Sequence, residues 1–317
     1  MIANPASGRG RGSRVLSRLR PILAESGTAV VRVTRTRGDE QSMVRRALDD
    51  GFDTFIALGG DGTWGNVANA ILGSGAAEEA RLALLAAGTG NDFAKSVGVP
   101  ASDIGATVRL AVEGPDVRVD VGKIEEKYFL NVAGFGVDVA VIENLERTRL
   151  LTGNALYLVA GLRGVLGYGG LAVEIEAGPR SLTSGRYLLL VIANGRNFAG
   201  AFPLAPGAST VDGQLDAIAI RDARRMRRLQ LFFAAARGTH ADAAEVTIAR
   251  APRFRLRFDT PPAYETDGEY NVAGFREVDV SCVPRALRLV TPMSEASLAA
   301  GGVAQFRPSD APQNRSG

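Results

Sequence analysis

In the first third of the chain, a short apolar run three times meets a loop rich in glycine, and a helix-like pattern starts at once. The loops are NPASGRGRGS (4–13), GGDGT (59–63) and AAGTGNDFA (86–94). TFIAL (54–58) and RLALLA (81–86) are apolar runs bounded by turn signals, which reads as strands buried on both faces. Parallel strands need a crossover between them, so strand, loop and helix in repetition imply a mainly parallel sheet with helices on both sides. Loops at the carboxyl ends of such strands lie along one edge, which turns all three toward a common cleft.

The remaining pattern divides the chain. Residues 28–34 (TAVVRVT) read as a strand, and 13–25, 40–50, 63–72 and 102–113 read as helices, the first with Pro21 inside it. The opening strand has only residues 1–3 to use. Beyond residue 117 strand-like pieces dominate, among them RVDVGKI, KYFLNVA, LAVEIEA, YLLLVIA, QLDAIAI and RFRLRF, with helical stretches near 153–167 and 224–236. That is the pattern of an antiparallel, β-rich second domain. The expected layout is an α/β domain (1–117), a β-rich domain (118–284), a strand returning to the first domain (285–299) and a disordered tail (300–317). A length of 317 residues suits two domains.

Composition narrows the function classes. Apolar residues make up 46% and charged residues 22%, a globular balance. No apolar run reaches 18 residues, so no membrane span is expected, and the first residues carry no basic-then-apolar leader. The single Cys282 rules out an internal disulfide framework and a cysteine zinc site. These features point to the cytoplasm. Of 37 basic residues only Lys95, Lys123 and Lys127 are lysine. The arginine skew and the net charge of +3 read either as plain composition or as attraction to anionic partners such as phosphates and acidic lipids. The P-loop and GxGxxG fingerprints are both absent.

What the loops hold follows from their chemistry. Gly59, Gly60, Gly62, Gly88 and Gly90 let backbone N–H groups approach a ligand, and helix N-termini favour anions. Ser7, Thr63 and Thr89 add hydroxyl donors, and Arg9 and Arg11 add charge. One such loop is a tight turn as readily as a site; three together point to phosphate. Asp61 is out of place beside phosphate. It either caps the following helix or acts through a cation such as Mg²⁺ bridging it to ATP. Asp267 and Glu269 flank Gly268, a favoured hairpin dipeptide and also a place for a general base. His240 has no relay or ligand set around it and reads as structural, and Trp64 reads as packing. RDARRMRR (221–228) is a solvated helix start or a contact to an anionic membrane.

These motifs, in this order, resemble the bacterial diacylglycerol kinase family, the group that also holds sphingosine and ceramide kinases. NPASG, GGDGT and GTGNDFAKSVGVP carry the first half of the resemblance. VDVGKIEEKYFLNVAGFGVDVAVI (119–142), the NG…AP…DG block (192–220), GTHADAAEV (238–246) and ETDGEY (265–270) carry the second. The resemblance implies a phosphofructokinase-like three-layer α/β nucleotide domain followed by an antiparallel β-sandwich. It implies ATP contacts at Asn4, Pro5, Ser7, Gly8, Arg35, Asp61, Gly62, Thr63, Thr89 and Gly90, within loops that include Gly59, Gly60, Gly88 and Asn91. It implies a structural Mg²⁺ site at Ser209, Asp212 and Gln214, and a catalytic carboxylate at Asp267 or Glu269.

The expected activity is transfer of the ATP γ-phosphate to a hydroxyl of diacylglycerol or a related lipid at the inner membrane surface. No nucleic-acid partner is expected, and exposed sandwich edges would suit a homodimer. An NAD kinase-like phosphotransferase and a non-catalytic regulator on the same fold are the alternatives. The chain departs from the family at Asn66, where a glutamate is usual, at AGAF (199–202) and at TRTRGD (34–39).

Overall fold

The computed structural model describes residues 1–26, 29–100, 104–145, 154–178, 180–200 and 202–300. Its first half alternates as the loops require. The order is β1 (Ile2–Ala3), α1 (Ser7–Ser26), β2 (Arg32–Val33), α2 (Asp39–Asp49), β3 (Thr54–Gly59), α3 (Asp61–Gly73), β4 (Arg81–Ala86), α4 (Asp92–Ser96) and α5 (Ile104–Glu113). Strands β2, β1, β3 and β4 lie side by side, all parallel. Phe55, Ala57, Leu58, Leu82 and Leu84 are buried between the helix layers.

The second half comprises β5 (Asp116–Ile124), β6 (Lys127–Phe129), β7 (Val132–Gly136), α6 (Val137–Leu145), α7 (Asn154–Gly167), β8 (Leu171–Ala177), β9 (Arg180–Ala193) and β10 (Leu215–Arg221). It continues with α8 (Arg225–Arg237), β11 (Val246–Ala251), β12 (Arg253–Phe258), β13 (Ala263–Thr266), β14 (Glu269–Val272), β15 (Glu277–Val290) and α9 (Glu295–Ala300). Its pairings are antiparallel. The two halves are joined by sheet as well as by chain. β15 lies parallel to β4 at Arg288↔Arg81 and Leu289↔Leu82, and antiparallel to β5 from Val290↔Asp116 to Val280↔Ile124. The expected cut at 117/118 therefore falls inside one continuous strand. The expected tail beyond residue 300 lies outside the described residues.

Two local expectations are corrected, one helix is added and one is kept. The strand expected over 28–34 is only Arg32–Val33 among the described residues, because its neighbour β1 offers just two residues to pair with. Residues 137–145 form α6, although VDVAVIENL is β-branched; Gly136 at φ 111° ends β7 and turns the chain. Helix α3 starts at Asp61 rather than 63, so Asp61, Gly62 and Thr63 form its first turn. In α1, Pro21 is accommodated because Leu16, Leu19 and Leu23 are buried against the sheet. Its opening is not helical: Gly8, Arg9 and Gly10 all have left-handed backbone.

Candidate active site

The three glycine loops meet, and the glycines first make room for each other. A Cβ on Gly60 would stand 2.9 Å from Cα of Gly88, and one on Gly88 would stand 2.5 Å from Cα of Gly60. A Cβ on Gly8 would lie 2.1 Å from the Ala87 carbonyl oxygen, and one on Gly59 2.4 Å from the Thr63 Cβ. Backbone thus touches backbone where any side chain would force the loops apart. Asn91, at φ 53°, closes the third loop on itself by accepting from Gly88 N at 3.0 Å and donating to Gly88 O at 3.1 Å.

Two anion-binding features result. No side chain caps α3, so the N–H groups of its first turn lack a capping acceptor and the positive end of the helix faces the cleft. Successive left-handed residues 8–10 curl the backbone into the kind of concavity that gathers N–H groups around an anion. Asn4 ties the two together, donating to Thr63 Oγ1 at 3.1 Å and accepting from Ala6 N at 3.1 Å.

Carboxylates surround these donors. Asp61 accepts from Phe93 N at 3.0 Å through Oδ1. Its Oδ2 and the Oδ2 of Asp92 crowd the space beside Gly90, at 3.4 and 3.2 Å from where a Cβ would sit. Burial, and then the charge of Asp92, push the Asp61 carboxyl up to about 6. Asp92 accepts from Lys95 Nζ at 3.1 Å and from Gly200 N at 2.7 Å.

Asp267 and Glu269 have different roles. Asp267 is buried at φ 51° and accepts from three backbone N–H groups: Leu130 at 2.7 Å, Asn131 at 2.9 Å and Val132 at 3.1 Å. Burial pushes it up to about 7 against the pull of those donors. Glu269 is open to the cleft, with Oε1 3.1 Å from a Cβ position on Gly62, and takes both Nε (3.0 Å) and Nη2 (2.6 Å) of Arg37 on Oε2. Gly62 and Gly65 are needed for this approach, since a Cβ on Gly65 would meet Asp267 Oδ2 at 3.1 Å.

One cavity of about 550 Å³ joins these groups to an apolar chamber. Ser7, Gly60–Thr63, Gly88–Gly90, Asp92, Asp267 and Glu269 line one end. Val137, Val141, Val165, Leu189, Phe202 and Leu231 line the other. Between them stand Asp138 and Glu265, two buried carboxyls facing each other over Gly134. Neither Asp138 oxygen has a partner, and burial pushes that carboxyl up to about 7. Burial, then Asp138, raise Glu265 well above the carboxylate range.

The cavity gathers Ser7, Gly8, Gly60, Asp61, Gly62, Thr63, Gly88, Thr89, Gly90, Asp267 and Glu269 of the expected residues. Asn4, Pro5, Gly59, Asn91 and Arg35 do not line it. Asn4, Gly59 and Asn91 shape the loops, while Arg35 is exposed and its N–H bonds Asp39 Oδ2 at 2.7 Å. Ser209, Asp212 and Gln214 sit together on a turn and do not line the cavity. Asp212 Oδ1 accepts from Gln214 N at 3.0 Å, and Ser209 Oγ from Val211 N at 3.3 Å. Nearby Asp120 accepts from Gly213 N at 2.6 Å and Arg285 N at 2.8 Å. Each of these carboxylates is engaged by backbone N–H, and no group of three or more His, Cys, Asp or Glu suited to a metal occurs among the described residues. No chemical step is placed there.

Trp64 is buried and donates to Ala57 O at 3.0 Å, as packing requires. His240 is buried with Nε2 2.9 Å from Leu204 O, a structural bond. Asn66 is half-buried on α3 and does not line the cavity. Asp92, Arg37, Asp138 and Glu265 escape the sequence reading. Asp92, Asp138 and Glu265 lie inside quoted motifs, whereas nothing around Arg37 signals a partner 232 residues away.

Comparison with known proteins agrees with the motifs. Residues 1–124 match the diacylglycerol kinase catalytic domain, and residues 131–291 match the YegS C-terminal NAD kinase beta sandwich-like domain. A probable lipid kinase YegS-like of Cronobacter sakazakii is 36% identical over 213 residues, 66% of this chain and 70% of that protein. A diacylglycerol kinase of Mycobacterium tuberculosis is 27% identical over 297 residues, 92% of this chain and 94% of that protein. A putative diacylglycerol kinase from Bacillus anthracis has the same fold, with a TM-score of 0.74 at 20% identity over 92% of this chain and 95% of that one. The resemblance carried by the glycine loops and the DGE turn is thus borne out: the chain belongs to the diacylglycerol kinase family of lipid kinases, a family of phosphotransferases.

Proposed function

We propose that this chain transfers the γ-phosphoryl group of ATP to a free hydroxyl of diacylglycerol or a related lipid. The observation that carries the reading is the continuity of the cavity: anion-binding backbone and carboxylates at one end, apolar walls at the other. Such a space suits a phosphorylated ligand meeting a headgroup on an apolar tail. An NAD-phosphorylating activity would leave the apolar half without a task.

Residues 7–10 and the first turn of α3 bind and orient the phosphates through backbone N–H groups. The Oδ2 atoms of Asp61 and Asp92 converge beside Gly90 and would hold a divalent cation, with Asp92 still braced by Lys95 Nζ and Gly200 N. When bound there, Mg²⁺ would offset the charge of the phosphates and of both carboxylates. Glu269 takes the proton of the lipid hydroxyl, as the carboxylate of the pair with an oxygen turned to the cleft. Asp267 positions it, anchoring the turn to the backbone of residues 130–132. Arg37 fixes the Glu269 side chain and neutralises it until substrate arrives. The lipid would be drawn from a membrane surface; no helix among the described residues is long and apolar enough to cross a membrane.

The test is incubation with labelled ATP, Mg²⁺ and a lipid panel, with NAD as a control. Label in a lipid is expected. Label in NADP, or ATP binding with no transfer to any lipid, overturns the reading.

A further inference from the structure

Helix α8 has two faces with different surroundings. Leu231 and Ala235 are buried, and with Phe232 they wall the apolar end of the cavity. The outer face is open: Met226 is 71% exposed and Phe233 40%, with Gln230 and Arg237 exposed along the same stripe.

The charge on this element is one-sided. From Arg224 to Arg237 there are five arginines and no Asp or Glu. Four cluster at the N-terminal end, where the helix dipole disfavours cations. The fold accounts for two of them. Arg227 pairs with Glu245 at 2.9 and 2.7 Å, and Arg228 is buried against Asp222 and the carbonyls of Val165 and Tyr168. Arg224 and Arg225 remain exposed, beside Met226. Ion pairing within the chain explains none of these three, and Phe233 meets the Phe232 ring edge-on at 5.7 Å yet stays 40% exposed.

Exposed apolar side chains among arginines, without acids, suit a helix lying in the surface of an anionic bilayer. A second copy suits the face poorly, because a twofold contact would set arginines against arginines with no acid to meet them. The cavity also starts on the other side of the same helix, about 10 Å away. We propose that the outer face of α8 docks this protein on an anionic phospholipid bilayer, with Met226 and Phe233 inserted and Arg224 and Arg225 at the headgroups. The proposal rests on the lipid-kinase reading for its purpose, not for its test.

The experiment is sedimentation with phosphatidylcholine vesicles, with and without phosphatidylglycerol. Wild type is expected to bind the phosphatidylglycerol vesicles and to be released by salt. Met226→Glu/Phe233→Glu and Arg224→Glu/Arg225→Glu are each expected to weaken that binding by about tenfold or more. Phosphorylation of a short-chain diacylglycerol presented as monomers is expected to stay unchanged in both, and thermal melts matching wild type show that they fold. Wild type that ignores anionic vesicles overturns the proposal. So do variants that bind like wild type, or a wild-type dimer that the substitutions dissolve. Vesicle binding through these residues without phosphorylation of any lipid would overturn the kinase reading and leave the docking surface standing.

Discussion

Arg37 donates through both Nε and Nη2 to one oxygen of Glu269, 232 residues along the chain, and leaves the other oxygen against Gly62. The pair closes the cleft between the loop before α2 and the DGE turn. Arg37 is 61% exposed in its side chain, so the pair adds little stability. Arg37→Ala should leave the melting temperature unchanged and lower lipid phosphorylation by roughly tenfold, as Glu269 loses its orientation. Glu269→Gln should lower kcat by roughly 10²–10⁴ with ATP binding retained. Radiolabel transfer and a thermal melt read both effects.

Asp267 should behave differently from Glu269. Asp267→Ala leaves three buried N–H groups without an acceptor, at a cost of about 3 kcal/mol or more. Denaturant unfolding should show that loss for Asp267→Ala and none for Glu269→Gln. Equal stability in the two variants would end the distinction between anchor and base.

The glycine contacts predict a graded series. Gly88→Ala places a methyl 2.5 Å from the Gly60 Cα, backbone against backbone, and should cost about 1–3 kcal/mol along with ATP affinity. Gly62→Ala presses chiefly on the Glu269 side chain, at 3.1 Å from Oε1 and 3.4 Å from Cγ, with the Asp267 carbonyl oxygen at an ordinary 3.7 Å. It should spare stability and reduce turnover. Unfolding curves and initial rates on the two variants check the order.

Cation binding should depend on pH through Asp61. With its carboxyl held at about 6, the proton competes with Mg²⁺ below that value, so Mg²⁺ affinity should rise as pH rises through 6. Asp61→Asn should flatten that rise. A titration of Mg²⁺ in the presence of ATP at pH 5, 6 and 7 would be roughly sufficient to show it.

Asp138 gives a stability signature of opposite sense. Its folded value, about 7, lies above its ordinary 3.8, so the folded state holds a proton that the unfolded chain has released. Stability from this group is complete below the ordinary value and is lost as pH rises toward 7. Asp138→Asn removes the dependence. The variant should melt close to wild type at low pH and several degrees above it once the wild-type carboxyl ionises. Equal melting temperatures at all pH values would show that Asp138 is solvated.

Much of this was legible because loop chemistry is local. A strand run ending in glycines and a helical pattern fixes a crossover wherever the rest of the chain goes, and Asp61, Gly62 and Thr63 stand in the cleft as that pattern requires. The use of the glycines was not legible. Gly60 and Gly88 look like ligand space in sequence, and only the fold reveals that each is occupied by the other. Asn91 reads as a ligand contact for the same reason, yet it spends its amide on Gly88. Helix α6 was hidden by its β-branched residues, whose strand preference yields to the turn at Gly136 and to burial of Val137 and Val139. Arg37 and Asp138 matter through partners brought by the second half of the chain, which no local pattern encodes.

The strands that connect the halves also set how the enzyme can move. The chain passes out along β5 and back along β15, and these two strands pair with each other through the boundary. The ladder is interrupted between Val283 and Leu287, and there Arg285 N is held by Asp120 at 2.8 Å. A jaw needs a hinge of free residues, and a doubled, pinned ribbon is a poor one. A swing of one half against the other has to bend both strands at once and to break the hold of Asp120 on Arg285 N.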